Sequence, residues 1–176
     1  MVRDEEIKKL ENYARGLGLR VEYRTAKRGD PGASLISVNG ISERIVMYLW
    51  PRKSKTQIVL DFVHELAHHM GFVYNGRVDN PALLDALIEE DDRKDGDKPI
   101  TKAKRKLIYE CEANDSKYRE MIIREIGLHL PEAKFKIDLE LDLWVYKHYY
   151  LTGNLPTTKE FTKKKSEVKE KYASKV

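Results

Sequence analysis

Cysteine is almost absent from this chain: its 176 residues include one, Cys111. A single thiol cannot close a disulfide within the chain, so a disulfide-stapled secreted domain is excluded and a reducing compartment is expected. Long apolar runs are missing as well. No stretch approaches the roughly 18 residues that a membrane span needs, and the opening Met1-Val-Arg-Asp-Glu-Glu-Ile lacks the apolar core of a secretory signal. A cytoplasmic protein without a membrane partner is the expectation. There is also no internal repeat and no low-complexity domain, which removes solenoid architectures.

What is present is a globular composition with a heavily charged surface: 41% hydrophobic and 35% charged residues, net charge +4. The length suits one domain over residues 1–155, followed by a basic C-terminal helix or tail over 156–176. From Lys159 to Lys175 seven lysines stand against Glu160, Glu167 and Glu170, which accounts for the whole positive excess. Attraction for nucleic acid or an acidic partner is one reading of that stretch, and a solvated helix is the other.

Asp4 caps a first helix with apolar positions at Ile7, Leu10, Ala14 and Leu17, interrupted by Gly16 and Gly18. Leu19, Val21 and Tyr23 alternate with polar residues as a strand does, and Lys27-Arg-Gly-Asp-Pro-Gly32 breaks the chain. Strands follow at Ser34–Val38, ending in Asn39-Gly40, and at Arg44–Trp50, which suggests a meander. Ser54 and Gln57 form a capping box opening a long apolar helix expected to stop at Gly71. Helices are also expected over Pro81–Glu90, Lys102–Ile126 and from Pro131 to about Gly153. The fold class is α+β: a small three-stranded sheet packed on a helical core. The acidic loop from Glu89 to Asp97 fails as an EF-hand, having Arg93 at the third ligand position and Lys102 in place of the closing glutamate.

The chemistry is concentrated in His64-Glu65-Leu66-Ala67-His68. Residues four apart on a helix lie one above the other, so both imidazoles can converge on one divalent ion, with zinc the best match for neutral imidazole. Glu65, about 100° round the helix, can reach a water on that ion and serve as base. Burying two histidines and a glutamate in a core helix is costly without a shared purpose, which favours a metal site over surface histidines. His69, about 140° from His64, reads as a surface residue or as a support to the ligands. A third ligand six residues after His68 would be Tyr74 and one four residues after it Phe72, so neither position supplies it. The segment Tyr109-Glu110-Cys111-Glu112-Ala113-Asn114 offers two distant carboxylates.

Phe62-Val-His-Glu-Leu-Ala-His-His69, followed by Glu112-Ala113-Asn114 and preceded by the strands Ser34–Asn39 and Arg44–Leu49, resembles the ImmA/IrrE metallopeptidases over about Ser34 to Glu120. The resemblance implies Zn2+ held by His64, His68 and Glu112, Glu65 as catalytic base, and a metallopeptidase core around the active-site helix. Some family members cleave a DNA-bound repressor or regulator. This chain departs from the family in the length of its insert and in Asp115-Ser-Lys-Tyr-Arg after the second motif.

Helix phase also separates the two glutamates, which lie about 200° apart. Glu112 falls near the stripe of Ile108, Ile123 and Ile126, whereas Glu110 shares its face with Lys106, Lys117 and Arg124. Asp115 stands one turn on, either behind a ligand histidine or in solvent. Tyr74, Tyr109, Tyr118 and His129 are candidate oxyanion donors, with ordinary packing the commoner role for such residues. Cys111 reads as a small buried hydrophobe. The expected function is a zinc metallopeptidase acting on a protein substrate in the cytoplasm. The alternative is a catalytically idle metal-binding domain that serves as a protein or nucleic-acid interaction module.

Overall fold

A computed structural model describes residues 4–27, 31–38, 41–74, 80–94 and 97–173. The elements run α1 (Asp4–Gly16), β1 (Arg20–Thr25), β2 (Ala33–Val38), β3 (Ile41–Leu49), α2 (Lys55–Tyr74), α3 (Pro81–Asp91), α4 (Lys102–Ile126), α5 (Glu132–Thr152) and α6 (Thr158–Ala173). The fold is α+β. The Asn39-Gly40 turn, residues 28–30 of the turn-rich segment and residues 95–96 of the acidic loop lie outside the described residues. Two compact units are present, Met1–Asn75 with Asp115–Pro131 and Gly76–Asn114 with Glu132–Val176. Their boundary falls inside α4, between Asn114 and Asp115.

The first unit holds α1, the sheet, α2 and the second half of α4. Its strand order is β1-β3-β2, with β1 parallel to β3 and β2 antiparallel to it. This corrects the meander expected from the sequence, which would have put β2 in the middle. Burial explains the difference: consecutive Ile45, Val46 and Met47 are all buried, so both faces of β3 are covered, as in a central strand. Strand polarity and neighbour choice depend on such long-range packing, which alternation alone does not encode.

Helix α2 starts as its capping residue predicts, Ser54 Oγ accepting from the Gln57 N–H at 3.2 Å. It does not stop at Gly71 but runs on to Tyr74. A glycine inside a helix costs only about 1 kcal/mol, and burial of Met70 and Gly71 in the packed interior outweighs that. Phe62, Val63, Leu66 and Met70 meet Leu10 and Ala14 of α1, Ile45 and Met47 of β3, and Tyr118 and Ile122 of α4 in one core. Helix α4 ends where Gly127 takes φ +65, which lets the Leu128 N–H donate to the Ile123 carbonyl at 2.9 Å.

The second unit is helical. Asn80 caps α3, its side chain accepting from the Leu83 N–H at 3.1 Å. Ala86, Ile100 and Ile108 form its small core. Buried Arg105 donates to the carbonyls of Ile100 at 2.5 Å and Tyr150 at 3.2 Å, so a charged donor satisfies the end of α5. The basic helix α6 buries Val168, and Glu140 of α5 accepts from Lys171 at 2.5 Å and from Tyr172 at 3.1 Å. Among the described residues no helix is long and apolar enough to cross a membrane.

Candidate metal centre

The four-residue spacing on α2 brings the rings of His64 and His68 to 4.5 Å between centroids, with their planes at 86°. Their Nε2 atoms face each other at 2.8 Å. Behind His68, Nδ1 lies 2.8 Å from Oδ2 of Asp115, a residue only 2% exposed. Of the two positions open to Asp115 in the sequence, the one behind a histidine is occupied. A carboxylate accepts, so His68 carries its proton on Nδ1 and presents a lone pair at Nε2.

Glu112 precedes Asp115 by three residues on the uninterrupted helix α4 and is buried. One carboxylate oxygen of Glu112 and one ring nitrogen from each of His64 and His68 all lie within 4.8 Å of one another. This His-His-Glu group could hold a metal ion. Two imidazoles and one carboxylate, with a further position left open, are the donors of catalytic zinc sites, although other divalent ions accept the same set. The Asp115 contact supports the fit, because it fixes the tautomer of His68 that a metal requires. Glu110 is on the other side of α4, half exposed and paired with Lys106 at 3.1 Å.

Glu65 is buried, 8% exposed. Burial raises its carboxyl above the ordinary range; nearby His64, the backbone N–H of Leu35 on β2 and Arg119 oppose the shift, while Asp61 adds to it. A buried carboxylate with a raised pKa is a stronger base than one in water, and this one is held in place by a main-chain donor.

The remaining sequence candidates are placed as follows. His69 is buried rather than on the surface, because α2 is covered on nearly every side, and burial lowers its pKa. Its Nδ1 is buried with no hydrogen-bond partner among the described residues. Tyr74 is 65% exposed at the end of α2, its ring 6.2 Å from that of Tyr118. Tyr109 stacks on Tyr150 at 5.8 Å, and the N–H of His129 donates to Glu6 at 3.1 Å, so packing and capping account for both. Cys111 is buried.

One residue at the centre escaped the sequence reading. Arg119, 4% exposed, donates from Nη2 to Nδ1 of His64 and lowers the pKa of Glu65 through its charge. Seven residues are nearly two turns, so Arg119 lies within about 20° of Glu112 on α4, and that phase was the available signal.

Compared with protein-family models, with curated proteins and with solved structures, the chain gives no match in any of the three.

Proposed function

We propose that the chain is a zinc-dependent metallopeptidase that hydrolyses peptide bonds of a protein substrate, with a regulator or repressor as the class suggested by its resemblance to the ImmA/IrrE metallopeptidases. The observation that carries the reading is that His64 and His68, on the helix that also carries Glu65, and Glu112 of α4 bring one ligand atom each within 4.8 Å of one another. Those three side chains would hold the ion. When bound, zinc polarises a carbonyl and lowers the pKa of a water toward about 7.

The protein's own part in the reaction is positioning and proton transfer. Asp115 keeps Nδ1 of His68 protonated and so keeps Nε2 free to ligate. The Glu65 carboxylate, raised by burial and aimed by Leu35, takes a proton from the attacking water and later gives it to the leaving amine.

The test uses purified protein prepared with zinc present. Close to one zinc per chain is expected, removable by a chelator together with peptidase activity. Glu65→Gln should keep the zinc and lose the proteolysis. Protein that takes up no zinc would overturn the metal centre, and undiminished cleavage by Glu65→Gln would overturn the catalytic assignment.

A further inference from the structure

We propose that one face of α6 binds the phosphate backbone of a nucleic-acid duplex, at a surface that lies wholly within the second unit. The helix is docked, not frayed. Oγ1 of Thr157 accepts from the Glu160 N–H at 3.3 Å, while Oε2 of Glu160 accepts from the Thr157 N–H at 2.8 Å, a reciprocal cap. Val168 is 1% exposed, and Glu140 of α5 accepts from Lys171 and Tyr172 and lies 3.9 Å from Lys164. These contacts fix which side of α6 meets α5 and which side meets solvent. A solvated tail would have no fixed face.

On the outward side the charges are sorted. At about 100° per residue, Phe161, Lys164, Val168, Lys171 and Tyr172 form the inner face. Glu160, Glu167 and Glu170 fall within about 80° of one another, with Lys163 among them. The remaining arc, about 120° wide, carries Lys159, Lys165 and Lys169 with Thr158, Thr162 and Ser166, and no carboxylate. All six are exposed. Among the described residues these three lysines make no ion pair, whereas Lys164 and Lys171 are engaged by Glu140. Nζ of Lys165 lies 5.8 Å from the centre of the Phe161 ring, and Ser166 donates to Glu170 at 3.4 Å on the border of the arc. Lys165 and Lys169 stand one turn apart with like charge, which costs a helix about 0.2–0.5 kcal/mol. A polyanion laid along the arc removes that cost.

The occupant follows from the chemistry of the arc. Lysine and hydroxyl side chains are donors that contact phosphate oxygens. Between Lys159 and Lys169 the helix rises about 15 Å, and a duplex carries one negative charge about every 1.7 Å along its axis, so each lysine can reach a phosphate. A lipid surface would require apolar anchors beside the lysines, and the arc has none. Single strands are held on exposed aromatic rings, but the rings of α6, Phe161 and Tyr172, are half-buried on its inner face. Arg, Asn and Gln, the usual readers of base edges, are absent from α6, so binding is independent of sequence.

Fluorescence anisotropy of a labelled DNA duplex of arbitrary sequence, titrated with the full chain over a range of salt, tests the assignment. The logarithm of the affinity should fall linearly with the logarithm of salt, with a slope of about −2.7 for three neutralised phosphates, a loss of roughly fortyfold between about 50 and about 200 mM. Lys159→Gln/Lys165→Gln/Lys169→Gln should weaken binding at low salt at least tenfold, and Lys159→Arg/Lys165→Arg/Lys169→Arg should retain it. Lys98→Gln/Lys102→Gln/Lys106→Gln removes the same charge elsewhere in the unit and should bind as the native chain does. Equal loss in the two glutamine variants would reduce the effect to net charge and overturn the proposal, as would native binding by the first. Anionic vesicles or poly(glutamate) that displaced the duplex at equal charge would assign the arc to a membrane or an acidic protein and overturn it too. Glutamine matches lysine in helix propensity, so native helix content is expected by circular dichroism. If the first variant nevertheless lost helix, a salt slope near zero for the native chain would by itself overturn the proposal.

Discussion

Nζ of Lys53 lies 2.6 Å from Oδ2 of Asp61, and both side chains are largely withdrawn from water. Lys53 follows β3 and Asp61 is one turn before Glu65 on α2, so this ion pair fastens the sheet to α2. Lys53 also donates to the carbonyls of Gly32 at 2.7 Å and Tyr48 at 2.8 Å, which leaves its ammonium fully used. The approach is close: a Cβ on Gly32 would stand 2.5 Å from Asp61 Oδ2, so a side chain there would push the carboxylate aside. The same clamp holds β2 over α2, where Leu35 reaches the Glu65 carboxylate.

Breaking one side of this pair should cost more than removing both. Lys53→Met leaves Asp61 buried without its cation, a change worth about 3–5 kcal/mol. The double variant Lys53→Met/Asp61→Leu should regain a large part of the loss, because no buried charge remains. Urea unfolding of the metal-free proteins measures both terms. A double variant at least as unstable as the sum of the two single ones would show that the pair is not the clamp described.

The contact between Asp115 and His68 makes a separate prediction about metal affinity. Asp115→Ala should weaken Zn2+ binding about tenfold to a hundredfold, the usual effect of losing a carboxylate behind a ligand histidine. Asp115→Asn, which keeps an oxygen acceptor without the charge, should lose less. Chelator competition resolves the series, and an alanine variant with native affinity would remove Asp115 from the site.

The parts of this molecule that were legible in the sequence are those that one helix encodes by itself. The four-residue spacing of His64 and His68 and the opposite phases of Glu110 and Glu112 follow from helical geometry, and the structure places these residues accordingly. What could not be read depends on contacts distant in the chain. The central position of β3 is decided by what covers its two faces. Lys53 looks like a turn lysine until Asp61, Gly32 and Tyr48 surround it. Arg119 resembles any surface arginine on an amphipathic helix, and only its meeting with His64, 55 positions away, gives it a role.

Three tyrosines should titrate well above the ordinary phenol, among them Tyr23, which burial and a hydrogen bond to Glu11 push up. Burial and a hydrogen bond to Glu90 push Tyr149 up to about 12, and burial with a 3.0 Å bond to Glu125 pushes Tyr13 up to about 12. The unfolded chain gives up these protons near pH 10 and the folded chain near 12. Their contribution to stability is therefore complete below about pH 10 and is lost as the pH rises to about 12. Ultraviolet titration of the folded protein should show the late phenols, and Tyr149→Phe should remove one of them. If all ten tyrosines of the chain ionised together near pH 10 before any unfolding, these hydrogen bonds would be excluded.

Glu112 and Glu110 stand two residues apart on α4 and should respond to the same substitution in opposite ways. Glu112 is 7% exposed and joins the two histidines, so its charge is held where only a cation makes it tolerable. Glu112→Gln keeps the shape but removes the anionic donor, and Zn2+ binding should fall severely, by at least the tenfold to hundredfold that loss of a supporting contact causes. Glu110 instead shares a half-exposed surface pair with Lys106 at 3.1 Å. Such pairs contribute about 0–1 kcal/mol, so Glu110→Gln should leave zinc affinity, activity and stability near native values. The two affinities, measured side by side on folded variants, separate a ligand from a residue that takes no part in the site. A Glu110→Gln protein that lost its zinc while Glu112→Gln kept it would reverse the phase of α4 and dissolve the His-His-Glu centre.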